Sequence, residues 1–129
     1  MFVIEVDRAL TPQGWVTPGR LLVEGERILA VGDRRLPIPE GIVHYGFAGT
    51  SAVPGFIDLH QHGGGGHDVM EATPEALEAI GTLHAAHGTT AWLPTTLTES
   101  PQCIAKALAN VAKLRESDRA GMPEILGVH

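Results

Sequence analysis

The sequence predicts an α/β fold, and three observations predict it. Residues 1 to about 52 hold short β-prone runs separated by turn signals. From residue 53 onward, β-prone runs alternate with two amphipathic helical stretches in the order β-α-β-α-β. The linkers are only a few residues long. Such alternation argues for a parallel sheet with right-handed crossovers. An open doubly wound sheet and a (β/α)8 barrel both satisfy it. The expected division is 1–52 and 53–129, although 129 residues would by length alone suit one domain.

The elements follow in order. Phe2-Val3-Ile4-Glu5-Val6 is the first expected strand. Residues 20–24 and 27–31 are the next two, joined by Gly25-Glu26. A two-residue link with glycine first suits a type II′ hairpin. Pro37 and Pro39 break regular structure, and 41–45 is a further expected strand. Together these suggest part of a small β-sandwich or an open sheet. About 50 residues is little material for a closed core, so strands from elsewhere are expected to complete it.

Ala52-Val53-Pro54-Gly55-Phe56-Ile57-Asp58-Leu59 reads as a buried strand after a Pro-Gly entry. The polar loop His60-Gln61-His62-Gly63-Gly64-Gly65-Gly66-His67-Asp68 follows. Thr73-Pro74-Glu75 opens a helix, with Thr as N-cap, Pro at the first helical position and acid in the first turn. Leu77, Ile80, Leu83 and His84 share one face of it, and Gly88 ends it. Thr89-Thr90-Ala91-Trp92-Leu93 is the second strand of this half, leading into Pro94-Thr95-Thr96. Ser100-Pro101 opens a second helix, with Ile104, Leu108, Val111 and Ala112 as its expected apolar face. Gly121 and Pro123 break it, and residues 124–129 form the third strand.

Composition excludes several functions. Nine Lys+Arg stand against fifteen Asp+Glu, a net charge of −6, and the only adjacent basic pair is Arg34-Arg35. Nucleic acid and anionic membranes are therefore not expected partners. The single cysteine, Cys103, excludes an internal disulfide and a cysteine-cage zinc site, which suits a reduced cytoplasmic setting. No stretch approaches the roughly 18 apolar residues of a membrane span. The start, Met1-Phe2-Val3-Ile4-Glu5, lacks the basic region of a secretion signal. Seven histidines against two lysines is the odd feature.

Asp58-Leu59-His60-Gln61-His62 offers the explanation. Strand side chains alternate, so Asp58, His60 and His62 are expected on one face. At about 3.3 Å rise per residue, the two histidines stand about 7 Å apart along the backbone. Their rings can converge on one metal from there. They lie at the carboxyl end of a strand, where parallel α/β folds place their sites. Asp58, one step deeper, is the candidate to receive a ring N–H. A catalytic zinc usually takes three protein ligands and an open position, so two histidines are an incomplete set. His67 and Asp68 are expected to end the loop rather than ligate. Gly63 to Gly66 suit either an anion-binding run of N–H groups or a tight turn with positive φ. His84, His87 and His44 are expected to be structural, as is the Cys103 thiol. No serine has a nucleophile-elbow setting.

The run from Val53 to His62 resembles the amidohydrolase superfamily. Gly63-Gly64-Gly65-Gly66-His67-Asp68, Thr73-Pro74-Glu75, His87-Gly88-Thr89-Thr90, Leu93-Pro94-Thr95-Thr96 and Ile125-Leu126-Gly127-Val128-His129 are similar to its N-acetylglucosamine-6-phosphate deacetylases. The resemblance implies a metal-bearing (β/α)8 barrel from residue 53 and the N-terminal part of a small β-sandwich over 1–52. It implies metal-dependent hydrolysis of N-acetylglucosamine 6-phosphate to glucosamine 6-phosphate and acetate. His60 and His62 are the implied metal ligands, with zinc or iron as the metal, one or two ions in all. In that family a glutamate after the third strand, later histidines and the catalytic aspartate follow beyond the position of His129. No catalytic residue is thus expected within these residues. The chain reads as an N-terminal portion with three of eight barrel strands, inactive alone, and inclined to self-associate or to pair with a complementary piece. The alternatives are another amidohydrolase, such as a cyclic-amide hydrolase or a deaminase, and a small non-catalytic metal-binding domain.

Overall fold

In the computed structural model, which describes residues 1–117 and 120–129, strand β1 (Phe2–Thr11) is the axis of the first part of the chain. It pairs antiparallel with β2 (Gly14–Val16) and with β3 (Gly19–Glu24). Ala9 lies opposite Val16 and Val6 opposite Gly19, so both pairings keep one register. β2 and β3 thus behave as one strand interrupted at Thr17-Pro18, where proline has no N–H to donate. β3 turns into β4 (Arg27–Gly32) through Gly25-Glu26, with Glu24 opposite Arg27. Gly25 has φ +56°, as the first position of the expected II′ turn requires. β5 (Val43–Ala52) returns to run parallel with β1.

This part is one five-stranded sheet, a single layer among the described residues. β1 is longer than expected, and β5 extends to Ala52 rather than stopping at 45. β5 is exposed almost throughout and includes Gly46, Ala48 and Gly49. Val43, Tyr45 and Phe47 alternate along its first half, all three exposed, and the small and polar residues from Ala48 onward carry no such pattern. Val3, Val6, Ala9 and Val23 are the buried apolar residues of the sheet.

The chain divides into two units, Met1–Pro54 and Gly55–His129. The second begins with β6 (Phe56–Gln61). A two-rung ribbon of β7 (Gly63–Gly64) and β8 (His67–Asp68) follows, then a 3-10 turn over Val69–Glu71. After it come α1 (Pro74–Ala86), β9 (Thr89–Pro94), α2 (Pro101–Arg115) and β10 (Glu124–Ile125). The three longer-range strands form a parallel sheet in the order β10-β9-β6. Leu126 N–H to Trp92 O (3.0 Å) and His129 N–H to Pro94 O (3.1 Å) carry the β10 pairing on to His129. The alternation read from sequence is thus present as a mixed α/β unit.

Both helices start as their caps dictate. The Thr73 hydroxyl accepts from Ala76 N–H at 3.2 Å, and the Ser100 hydroxyl from Cys103 N–H at 3.2 Å. Each satisfies a first-turn N–H that has no partner inside the helix. Gly88, at φ +91°, follows the last residues of α1. Val69, Leu77, Ile80, Trp92, Val111, Leu114 and Ile125 pack into one core, with Met122 against it. Two expected helix faces need correction. In α1, Ala76 and Gly81 join Leu77 and Ile80, while Leu83 is exposed. In α2 the buried face is Ala107, Asn110, Val111 and Leu114, and Leu108 is 42% exposed. Among the described residues, no helix is long and apolar enough to cross a membrane.

Candidate metal centre

The site forms where the β6–β9 ladder becomes irregular. Asp58 lies opposite Trp92 and Gln61 opposite Pro94, with a shift of register between them. Thr95, just past β9, bridges the irregularity. Its N–H donates to Gln61 O at 2.8 Å, and its hydroxyl accepts from Gln61 N–H at 2.9 Å. The chain is thereby pinned between the two histidines of the H-x-H sequence.

The rings of His60 and His62 meet as that sequence predicts. Their Nε2 atoms are 2.9 Å apart, with ring centroids 4.8 Å apart and planes at 71°. His62 Nδ1 lies 3.3 Å from the backbone carbonyl of Thr95. A carbonyl only accepts, so Nδ1 is the protonated nitrogen and Nε2 carries the lone pair. Two nitrogens bound to one tetrahedral zinc at about 2.0–2.1 Å stand about 3.3–3.4 Å apart. The observed separation is within a few tenths of an ångström of that. The pair therefore fits half of a divalent-metal donor set, with its outer nitrogen already satisfied on His62. Without a metal, the same pair shares one proton between its nitrogens.

His129 comes to the same place. Its ring lies 4.4 Å from that of His60, tilted by 41°. It stacks on His60 and does not complete a donor set. Among the described residues, no three His, Cys, Asp or Glu side chains are placed together to hold a metal ion. His129 was legible only as the end of a strand, and its contact with His60 depends on the β10–β9–β6 pairing.

Asp58 departs from expectation. Its carboxylate accepts the backbone N–H of His60 at 3.1 Å and the Gln61 side-chain amide at 3.4 Å. The sequence reading had it receive a ring N–H. The irregular ladder between Asp58 and Gln61 breaks the alternation on which that reading depended. The carboxylate instead fixes the backbone from which His60 projects.

The remaining histidines have structural partners. His84 of α1 contacts the Gln61 amide through both ring nitrogens. His87 Nδ1 donates to Leu83 O at 2.8 Å, at the end of its own helix. His44 stands 3.6 Å from Glu5. His67 Nδ1 lies 3.2 Å from Glu71, whose carboxylate also accepts Asp68 N–H at 2.8 Å. Those two bonds, Asp68 first, hold the Glu71 carboxyl below its ordinary value. Asp68 in turn caps the 3-10 turn by accepting Met70 N–H. His67 and Asp68 thus close the loop, as expected. Gly65 and Gly66 have φ +64° and +85°, so the glycine run makes a tight turn between β7 and β8. Two consecutive positive φ values are the mark of a type I′ turn. Cys103 is exposed near the start of α2.

The sequence reading missed Thr95, although it singled out the Pro94-Thr95-Thr96 run. Thr95 is 2% exposed, and that burial is set by the packing of the strands, so nothing in the sequence separates it from Thr96.

No family model matches the chain. Curated relatives do. An N-acetylgalactosamine-6-phosphate deacetylase of Escherichia coli O157:H7 is 33% identical over 86% of this chain and 28% of its own length. An N-acetylglucosamine-6-phosphate deacetylase of Vibrio furnissii is 43% identical over 60% of this chain and 19% of its own. Among solved structures, the N-acetyl-D-glucosamine-6-phosphate deacetylase of Mycobacterium smegmatis superposes with a TM-score of 0.82 at 27% identity, covering 97% of this chain and 34% of that one. A mutant of the same enzyme, solved in complex with N-acetyl-D-glucosamine-6-phosphate, gives a TM-score of 0.78 at 29% identity over 88% of this chain and 29% of that one. This chain is therefore similar to a portion of N-acetylhexosamine-6-phosphate deacetylases, and it spans less than a third of the curated relatives' length.

Proposed function

We propose that this chain is the N-terminal portion of a metal-dependent deacetylase acting on N-acetylglucosamine 6-phosphate. Residues 1–52 are then part of a β-sandwich, and 53–129 the first strands and helices of a (β/α)8 barrel. The observation that carries the reading is the pair of Nε2 atoms of His60 and His62, 2.9 Å apart at the carboxyl end of β6. The substrates named for the matched relatives support this choice of substrate class. A bound divalent ion, zinc or iron, would lower the pKa of a water and polarise the amide carbonyl, which is the chemistry that acetamide hydrolysis needs. The products are glucosamine 6-phosphate and acetate.

The chain's own residues prepare that site. His60 and His62 would hold the ion through their Nε2 atoms. Asp58 holds the His60 backbone, and Thr95 holds the His62 ring. A catalytic zinc takes three protein ligands and an open position, so these two supply part of the set. We assign no catalytic residue within residues 1–129. The reading places the enzyme in the cytoplasm, with a small amino-sugar phosphate as its partner.

The test is acetate release from N-acetylglucosamine 6-phosphate by the whole protein, with and without chelator. Metal-dependent release supports the proposal. The 129-residue chain alone, supplied with zinc or iron, is expected to release none above background. Because the Escherichia coli relative is a deacetylase of N-acetylgalactosamine 6-phosphate, the 4-epimer belongs in the same assay. A higher kcat/KM on that epimer would move the substrate without touching the metal chemistry. Release of ammonia from an amino-heterocycle, or opening of a cyclic amide, in place of acetate release would favour another amidohydrolase.

A further inference from the structure

We propose that Thr95 is a positioning residue that sets the tautomer and reach of His62. The inference rests on the metal-centre reading above. Thr95 is 2% exposed, so each of its polar groups needs a partner inside the protein. Its N–H donates to Gln61 O at 2.8 Å. Its hydroxyl accepts from Gln61 N–H at 2.9 Å and donates to Leu93 O at 3.0 Å. Its carbonyl receives His62 Nδ1 at 3.3 Å. Every polar function of this residue is engaged, and three of the four contacts hold residues 61 and 62.

The arrangement has a geometric cause. In a regular parallel ladder, Gln61 N–H would donate to a backbone carbonyl of β9. The ladder shifts register between Asp58 and Gln61. A side-chain hydroxyl takes the acceptor's place. That single group lets β6 stay attached to β9 while the backbone leaves regular pairing. The same residue then offers its carbonyl to the His62 ring that follows. Nδ1 keeps its proton on that carbonyl, and the Nε2 lone pair points to His60. Serine in this place retains the hydroxyl. Valine retains the shape and loses both hydroxyl bonds, leaving Gln61 N–H unpaired.

The experiment compares the full chain with Thr95→Ser and Thr95→Val. Long-range 1H–15N imidazole spectra of the metal-free protein read the His62 tautomer. Equilibrium dialysis with zinc ion alone reads affinity, with His60→Ala/His62→Ala as the reference for loss of the pair. The wild type and Thr95→Ser should show His62 as the Nδ1–H tautomer. Thr95→Val keeps the carbonyl but loses the two hydroxyl bonds that place it, so it should show a mixture and bind zinc more weakly than Thr95→Ser, by up to the roughly 10- to 100-fold typical of lost support behind a ligand. A purely structural strand lock would lower stability without altering the tautomer. Unchanged tautomer and affinity in a folded Thr95→Val would overturn the proposal. Should that variant not fold, the wild-type spectrum decides, since an Nε2–H tautomer for His62 contradicts it directly. Zinc binding unaffected by the double alanine change would remove the metal reading instead, and the tautomer comparison would still judge Thr95.

Discussion

At the scale of single residues, the histidine excess divides by partner. His60 and His62 face each other through Nε2, whereas His84, His87, His67 and His44 each have a contact that explains them. Alanine at His60 or His62 should therefore weaken zinc retention in dialysis. His44→Ala and His87→Ala should leave it unchanged. Equal loss in all four variants would mean that zinc binds without a defined site. Glu71 gives a second prediction. Its carboxyl is depressed below the ordinary 4.5, chiefly by Asp68 N–H and then by His67. A carboxyl depressed in the folded state stabilises it above the unfolded value, and that contribution is lost as pH falls through the folded value. An NMR titration should place the Glu71 midpoint below 4.5, and a midpoint at or above 4.5 would contradict the capping geometry. The H-x-H pair was legible because two residues of one type, two apart at a strand end, are a local pattern. The contacts of Asp58 to His60 N–H and the Gln61 amide were not legible, because a register shift is set by the neighbouring strand, which local alternation cannot see.

At the scale of elements, the helix starts were the most legible features. Thr73-Pro74 and Ser100-Pro101 combine a side-chain acceptor with a proline whose missing N–H costs nothing at that position. Replacing Thr73 or Ser100 with alanine should cost about 1 kcal/mol each by chemical denaturation. No measurable change would show that another group satisfies the freed N–H. The β7–β8 ribbon makes a sharper case. Gly66 sits at φ +85° with nothing within 4 Å of where a Cβ would lie, so Gly66→Ala is penalised by backbone conformation alone. The left-handed penalty is about 1–2 kcal/mol. At Gly63, a Cβ would instead collide with the His67 carbonyl oxygen. Gly63→Ala should thus cost more than Gly66→Ala and loosen the ribbon that follows His62. The α2 face was read wrongly for a physical reason. Hydrophobicity alone favoured Leu108, while the packing selected the smaller Ala107 and the polar Asn110.

At the scale of the whole molecule, the order β-α-β-α-β was legible, because short linkers and alternating periods constrain topology. The parallel pairing of β1 with β5 was not. It joins strands some forty residues apart in sequence, and the alternation of β5 ends at Phe47. The parallel sheet has a further consequence. Among the described residues β6 pairs on one side only, and Phe56, Ile57 and Leu59 on it are each about 60% exposed. An unpaired edge with large apolar side chains favours association. The 129-residue chain should sediment with a concentration-dependent mass, whereas a monomer at all concentrations would contradict this. The central claim concerns the metal, and zinc-edge X-ray absorption of the zinc-loaded whole protein tests it most directly. The predicted spectrum contains imidazole nitrogens at about 2.0–2.1 Å, two of which disappear when His60 and His62 are both changed to alanine. The same imidazole count in the wild type and the double variant would contradict the claim.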